Sequence, residues 1–188
     1  MDSQRENIWN VPNVLTMIRV ALIPVYWALF MRGQEYAALA VFVIASLTDL
    51  LDGYIARKYH LITDFGKMMD PAADKLMVLS VMLGWVIKKV IPWPAAAILL
   101  GKELLMAAGG VVLWQRHIVS YSAPVGKAAQ ATMVCSMILC FFSGWLMEHT
   151  GFPVHLLALW CAVGLTLCAL AYYIRRALRW NREAKNTK

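Results

Sequence analysis

Charged residues are scarce in this chain. They make up 15% of its 188 residues, where a soluble domain carries about 25%. Hydrophobic residues make up 61%, against roughly 45–50% in soluble domains. That balance excludes an ordinary soluble fold and leaves a membrane protein. The net charge is +7, but the basic residues form no stripe, so no nucleic-acid partner is expected. Six of the eighteen lysines and arginines fall in the final RRALRWNREAKNTK. This tail suits an anionic membrane surface, and equally the solvated end of a last helix. Cys135, Cys140, Cys161 and Cys168 lack CxxC spacing and sit in apolar runs; they read as small buried hydrophobes, not as ligands or disulfides. His60, His117, His149 and His155 show no metal-ligand spacing. Repeats, low-complexity tracts and a second domain are also missing, which leaves one domain over residues 1–188. The first ten residues are polar and no small-residue cleavage site follows a short apolar core, so no cleavable signal peptide is expected.

Long apolar runs are what the chain does have. About 20 residues are needed to cross the hydrocarbon core as a helix. Ala128 to Met147 and Phe152 to Ile174 meet this length, and Ile91 to Trp114 meets it with Lys102 and Glu103 near its middle. Val20 to Met31, Tyr36 to Thr48 and Leu76 to Ile87 are too short unless their polar ends are included. Those ends carry Arg19, then Asp49 and Asp52, then Asp70 and Asp74. The expectation is an all-α bundle of six transmembrane helices with a short amphipathic N-terminal segment. Strand-like alternation is absent, which argues against a barrel. Short turns, RGQE, KKVIPWP and EHTGFP, join the helices pairwise. The longer connections are basic, so the positive-inside rule puts the termini and the 57–69 and 115–127 loops in the cytoplasm. Arg19, all four aspartates, Gly126 and Lys127 then converge on a cavity facing that side. Trp9, Trp93, Trp114 and Trp180 lie near predicted helix ends, where tryptophans form interfacial belts.

Asp49 and Asp52 are three residues apart and share a helix face; Asp70 and Asp74 are four apart and share another if both are helical. Asp70 precedes Pro71, so it is either a helix cap or a helix-interior residue. Carboxylates at membrane depth are costly, and four in one cavity repel. Divalent cations relieve both problems, and hard oxygen ligands without Cys or His select Mg²⁺, Mn²⁺ or Ca²⁺. Four carboxylates suffice for two metals about 4 Å apart, a clamp used in displacement at phosphorus. The alternative, simple pairing with Arg57, Lys58, Lys67 and Lys75, does not require this spacing; it is accepted only for Asp64. Gly53 and Ala56 keep one face small on the helix that carries Asp52, Arg57 lies one turn on and suits a phosphate, and Gly66 interrupts the helical pattern before the second pair.

The run Asp49, Asp52-Gly53, Ala56-Arg57, Gly66, Asp70, Asp74 fills every fixed position of a signature. It resembles that of the CDP-alcohol phosphotransferase family. The opening NVPNVLTMIRVALIP resembles that of bacterial phosphatidylglycerophosphate synthases, and the length and the GKAAQ segment agree. The resemblance implies an often dimeric six-helix enzyme of the cell membrane, with its site open to the cytoplasm and two divalent cations, Mg²⁺ or Mn²⁺. It implies Asp49, Asp52 and Asp70 as metal ligands and Asp74 as the general base that also touches a metal. Gly53 and Arg57 would lie along CDP, with Thr63, Asn13 and Thr16 as further contacts of the CDP-lipid. The implied reaction transfers the phosphatidyl group from CDP-diacylglycerol to glycerol 3-phosphate, releasing CMP. Lys127, Arg116 and Lys102 are the candidate partners of the acceptor's phosphate. Two departures bear on that acceptor: Lys102 stands where Arg often precedes Glu, and no Lys-Thr follows Gly126-Lys127. Serine, inositol phosphate or another alcohol is the alternative acceptor. A cation-coupled transporter is a rival of a different class, disfavoured because the carboxylates cluster on one side and no paired halves are seen. An intramembrane prenyltransferase would share the metal chemistry but with more helices and other Asp spacing.

Overall fold

The computed structural model describes residues 10–59, 64–115 and 124–186. Every regular element among them is a helix. These are α1 (Val11–Met31), α2 (Glu35–Lys58), α3 (Asp64–Ile87), α4 (Trp93–Gln115), α5 (Pro124–Phe141), α6 (Ser143–Thr150) and α7 (Val154–Asn186). Val11–Met31, Glu35–Ile55, Pro124–Phe141 and Val154–Arg175 are long and apolar enough to cross a membrane. The all-α expectation holds, but among the described residues four helices, not the expected six, have the length and apolarity of a membrane span, and two further differences stand out. The run expected to continue from Ala128 to Met147 breaks at Phe142, and α6 is a short separate helix closed by left-handed Gly151. The opening NVPNVLT is not a segment apart: from Val11 it belongs to the first spanning helix. Asn10 caps that helix by accepting the Asn13 N–H at 3.0 Å, and Pro12 sits in its first turn, where a missing donor costs nothing.

The chain divides into two compact units, Met1–Gly84 and Trp85–Lys188. In the first, α1 and α2 form a hairpin around the turn Arg32–Gln34, which Gly33 makes with a positive φ of 77°. The buried stripe of α1 is Asn13, Thr16, Arg19, Tyr26 and Phe30, a helical spacing. Its first half is polar and its second half aromatic. The stripe of α2 is Ala38, Phe42, Ala45 and Asp52, whose alanines let α1 approach closely. On α3 the stripe runs Asp70, Ala73, Met77, Val81 and Gly84. A Cβ at Gly84 would meet Phe30 Cε1 at 2.9 Å and Tyr26 Oη at 3.0 Å, so α3 passes the aromatic half of α1 at glycine distance.

In the second unit α5 packs along α7, which α4 and α6 also touch. Ala129, Met133, Ser136, Met137 and Cys140 face inward on α5, and His155, Leu159, Ala162, Val163, Thr166 and Ala169 on α7. Trp85 and Phe141 meet edge to face at 4.9 Å between ring centres. Cys140 is buried as expected, whereas Cys135, Cys161 and Cys168 are exposed on helix faces. Leucines such as Leu47, Leu104, Leu157 and Leu167 are exposed as well; in a spanning helix such outward apolar faces meet lipid.

Candidate active site

The signature carboxylates meet the polar half of α1. Arg19 is 1% exposed, and its guanidinium forks between two of them. Nη1 lies 2.9 Å from Asp49 Oδ1 and Nη2 lies 2.5 Å from Asp52 Oδ2. Its Nε donates to the Ala45 carbonyl at 3.3 Å. Ala45, Asp49 and Asp52 occupy successive turns of one α2 face, so a single side chain spans two turns of its neighbour. One turn earlier on α1, the buried Thr16 hydroxyl donates to Asp70 Oδ1 of α3 at 2.5 Å and contacts the Pro12 carbonyl at 3.2 Å. Asp70 lies within electrostatic reach of both Asp49 and Asp52. Thus α1 links α2 to α3 through the residues sequence reading singled out as acidic. An apolar recess lined by Thr16, Met17, Val20 and Met69 adjoins the Thr16–Asp70 contact.

Asp52 is nearly buried, with its side chain 3% exposed, while that of Asp49 is 35% exposed. Asp70 and Asp74 are half-buried. Asp70 lies inside α3, more than a turn beyond its start, so the choice between cap and interior falls to interior. Gly66 does not interrupt the helix; it is buried within it. Gly53 and Asn13 lie on α2 and α1, half-buried and buried. Arg57 is on the last turn of α2, and its side chain, like that of Asp64, lies outside the described residues. Thr63 and Arg116 lie outside them altogether. Lys127 is exposed in the first turn of α5, and Lys102 is ion-paired with its neighbour Glu103.

Sequence reading missed the partner of Asp49 and Asp52. It weighed Arg57, Lys58, Lys67 and Lys75, and the structure supplies Arg19. The signal was present. An arginine at membrane depth needs an opposite charge, and the short Arg32–Gln34 turn brings Arg19 and the two aspartates to similar depth on antiparallel helices.

Among the described residues no group of three or more Asp, Glu, His or Cys side chains is gathered in a finished metal cage. Asp49 and Asp52 are turned to the guanidinium and Asp70 to Thr16. The donor chemistry nevertheless fits a hard divalent cation. The carboxylates supply only oxygen, and their mutual charge is already sufficient to hold one buried cation, Arg19.

Residues 9–168 match the CDP-alcohol phosphatidyltransferase family. The chain is 30% identical over 175 residues to the CDP-diacylglycerol–glycerol-3-phosphate 3-phosphatidyltransferase of Bacillus subtilis, covering 85% of this chain and 91% of the relative. It is 39% identical over 131 residues to the enzyme of that name from Rickettsia bellii, covering 68% and 71%. A probable phosphatidylglycerophosphate synthase of Mycobacterium tuberculosis is 31% identical over 186 residues, covering 93% and 85%. With the signature filled, its carboxylates joined to α1 and the match running through both units, the chain belongs to the CDP-alcohol phosphatidyltransferase family.

Proposed function

We propose that this protein transfers the phosphatidyl group of CDP-diacylglycerol to glycerol 3-phosphate, giving phosphatidylglycerophosphate and CMP. The observation that carries the reading is the convergence of Asp49, Asp52 and Asp70, from two helices, on Thr16 and Arg19 of a third. The names of the relatives, which cover most of both chains, support the acceptor. Asp49, Asp52 and Asp70 are the residues that would hold two divalent cations, Mg²⁺ or Mn²⁺, with Asp74 beside them. Bound there, the ions would neutralise the lipid's pyrophosphate and the charge that develops as CMP departs.

The chain's own residues supply the rest. Asp74, one turn beyond Asp70 on α3, accepts the proton of the acceptor hydroxyl. The hydroxyl oxygen bonds to the β-phosphorus in line, the bond to the bridging oxygen breaks, and CMP leaves with that oxygen. Asn13, Thr16, Gly53, Arg57 and Thr63 are the proposed contacts of the CDP-lipid. Gly53 has no side chain where the nucleotide would approach. The sequence nominates Lys127, with Arg116 and Lys102, for the acceptor's phosphate. In this reading α3 and α4 join the four apolar helices as membrane spans. The enzyme works as a homodimer in the plasma membrane with the carboxylates at the cytoplasmic headgroup level, so the acyl chains remain in the bilayer.

The test is CMP release from CDP-diacylglycerol by purified protein, with glycerol 3-phosphate, serine and inositol phosphate supplied separately. Release dependent on Mg²⁺ or Mn²⁺ and on glycerol 3-phosphate is expected, and EDTA should abolish it. Release with serine alone would reassign the acceptor. No release with any alcohol would sink the transferase reading.

A further inference from the structure

We infer that Arg19 is a positioning residue that fixes Asp49 and Asp52 from outside the metal site. This rests on the reading that those carboxylates bind divalent cations. A buried arginine could serve merely to pin α1 to α2, and its pairing geometry argues for more. It addresses three successive turns of one α2 face: Nε donates to the Ala45 carbonyl and Nη2 to Asp52, while Nη1 stands in ion-pair contact with Asp49. The guanidinium is planar and its donors are fixed relative to one another. The directed bond to Asp52 and the charge contact to Asp49, made by one planar group, therefore restrain how the two carboxylates lie relative to each other. The guanidinium contacts Asp49 through Oδ1 and Asp52 through Oδ2, one oxygen of each. A carboxylate ligand can bind a cation through one oxygen while an outer partner holds the other, and such partners set ligand orientation. Asp70 is held in a matching way, by the Thr16 hydroxyl on Oδ1. Thus one face of α1 grips the three proposed ligands with Thr16 and Arg19, one turn apart.

The geometry also distinguishes Arg19 from a mere counter-charge. A lysine at this position would keep the positive charge but would present one ammonium instead of a fork. The experiment compares wild type with Arg19→Lys in detergent micelles free of lipid substrate. Mn²⁺ binding is followed there by electron paramagnetic resonance, and turnover is followed separately, after CDP-diacylglycerol and glycerol 3-phosphate are added, as a function of Mn²⁺ concentration. Arg19→Lys should bind Mn²⁺ about 10–100-fold more weakly, the usual cost of losing an outer-shell partner, and excess Mn²⁺ should restore much of its turnover. A purely structural role would leave the Mn²⁺ dependence of the folded fraction unchanged, and that result would overturn the inference. Tighter Mn²⁺ binding by the variant would overturn it too, because Arg19 would then be a competitor of the metal. Should wild type itself bind no Mn²⁺, the metal reading of the site falls along with this one. If Arg19→Lys does not fold, the Mn²⁺-bound structure of wild type decides. Retained contacts from Arg19 to both carboxylates support the inference, and a guanidinium swung away from them refutes it.

Discussion

Among single residues, Asp74 is the one on which the proposed proton transfer turns. It is half-buried and lies one turn beyond Asp70, whose carboxylate is committed to Thr16. Replacing it with Asn keeps shape and hydrogen-bonding capacity but removes the proton acceptor. Asp74→Asn is expected to lower turnover by about 10²–10⁴-fold, the usual worth of a positioned base, while CDP-diacylglycerol binding stays close to wild type. Binding and CMP release measured on one preparation check this, and wild-type turnover would remove Asp74 from the role. The four aspartates were legible in the sequence because a carboxylate beside an apolar run is expensive and therefore informative. The pairing of Arg19 was not read, although its position was, because which rotamer reaches which helix depends on packing across the hairpin. The setting of Asp70 was left open for another reason. Proline after Asp is the usual mark of a helix start, yet α3 begins at Asp64 and carries Pro71 inside it.

At the scale of elements, helix existence followed from the apolar runs, and helix ends did not. The charge-free run through Met147 conceals the break at Phe142, because its only mark is the pair Ser143-Gly144, which apolar residues flank on both sides. Close helix contacts were similarly hidden. Gly126 reads as part of a motif in the sequence, and the structure gives it a packing role. A Cβ there would meet Tyr173 Oη of α7 at 2.8 Å, whereas the nearest ring carbons are at 3.6 Å. The hydroxyl is thus the atom in the way. Gly126→Ala is expected to lower thermal stability by about 1–3 kcal/mol, the cost of overpacking. In a Tyr173→Phe background the same substitution should cost markedly less. A double-mutant cycle of melting curves in detergent measures the coupling; strict additivity would mean that the hydroxyl is not the obstacle. Gly84 offers the parallel case on α3, where the obstacle is the Phe30 ring and no small trimming of a partner relieves it.

For the whole molecule, the proposed reaction requires the carboxylates to lie on the side where glycerol 3-phosphate and CMP are handled. The α2 helix tests that requirement by itself. Its 24 residues make a rod of about 36 Å at 1.5 Å per residue, enough to cross a hydrocarbon core of about 30 Å. Asp49 and Asp52 lie toward its C-terminal end, next to exposed Tyr59, and exposed Gln34 sits at the other end. Basic residues gather at the Tyr59 end, with Arg57 and Lys58 just before it and Lys67 later in the chain, and the positive-inside rule assigns that end to the cytoplasm. Single cysteines introduced as Gln34→Cys and Tyr59→Cys, with the four native cysteines replaced by alanine, report the two ends separately. In intact bacterial spheroplasts an impermeant maleimide should label Gln34→Cys and leave Tyr59→Cys untouched until the membrane is opened. Labelling in the reverse order would turn the carboxylates outward, away from the cytoplasmic pools of acceptor and nucleotide, and the proposed orientation could not stand even if CMP release were observed in micelles.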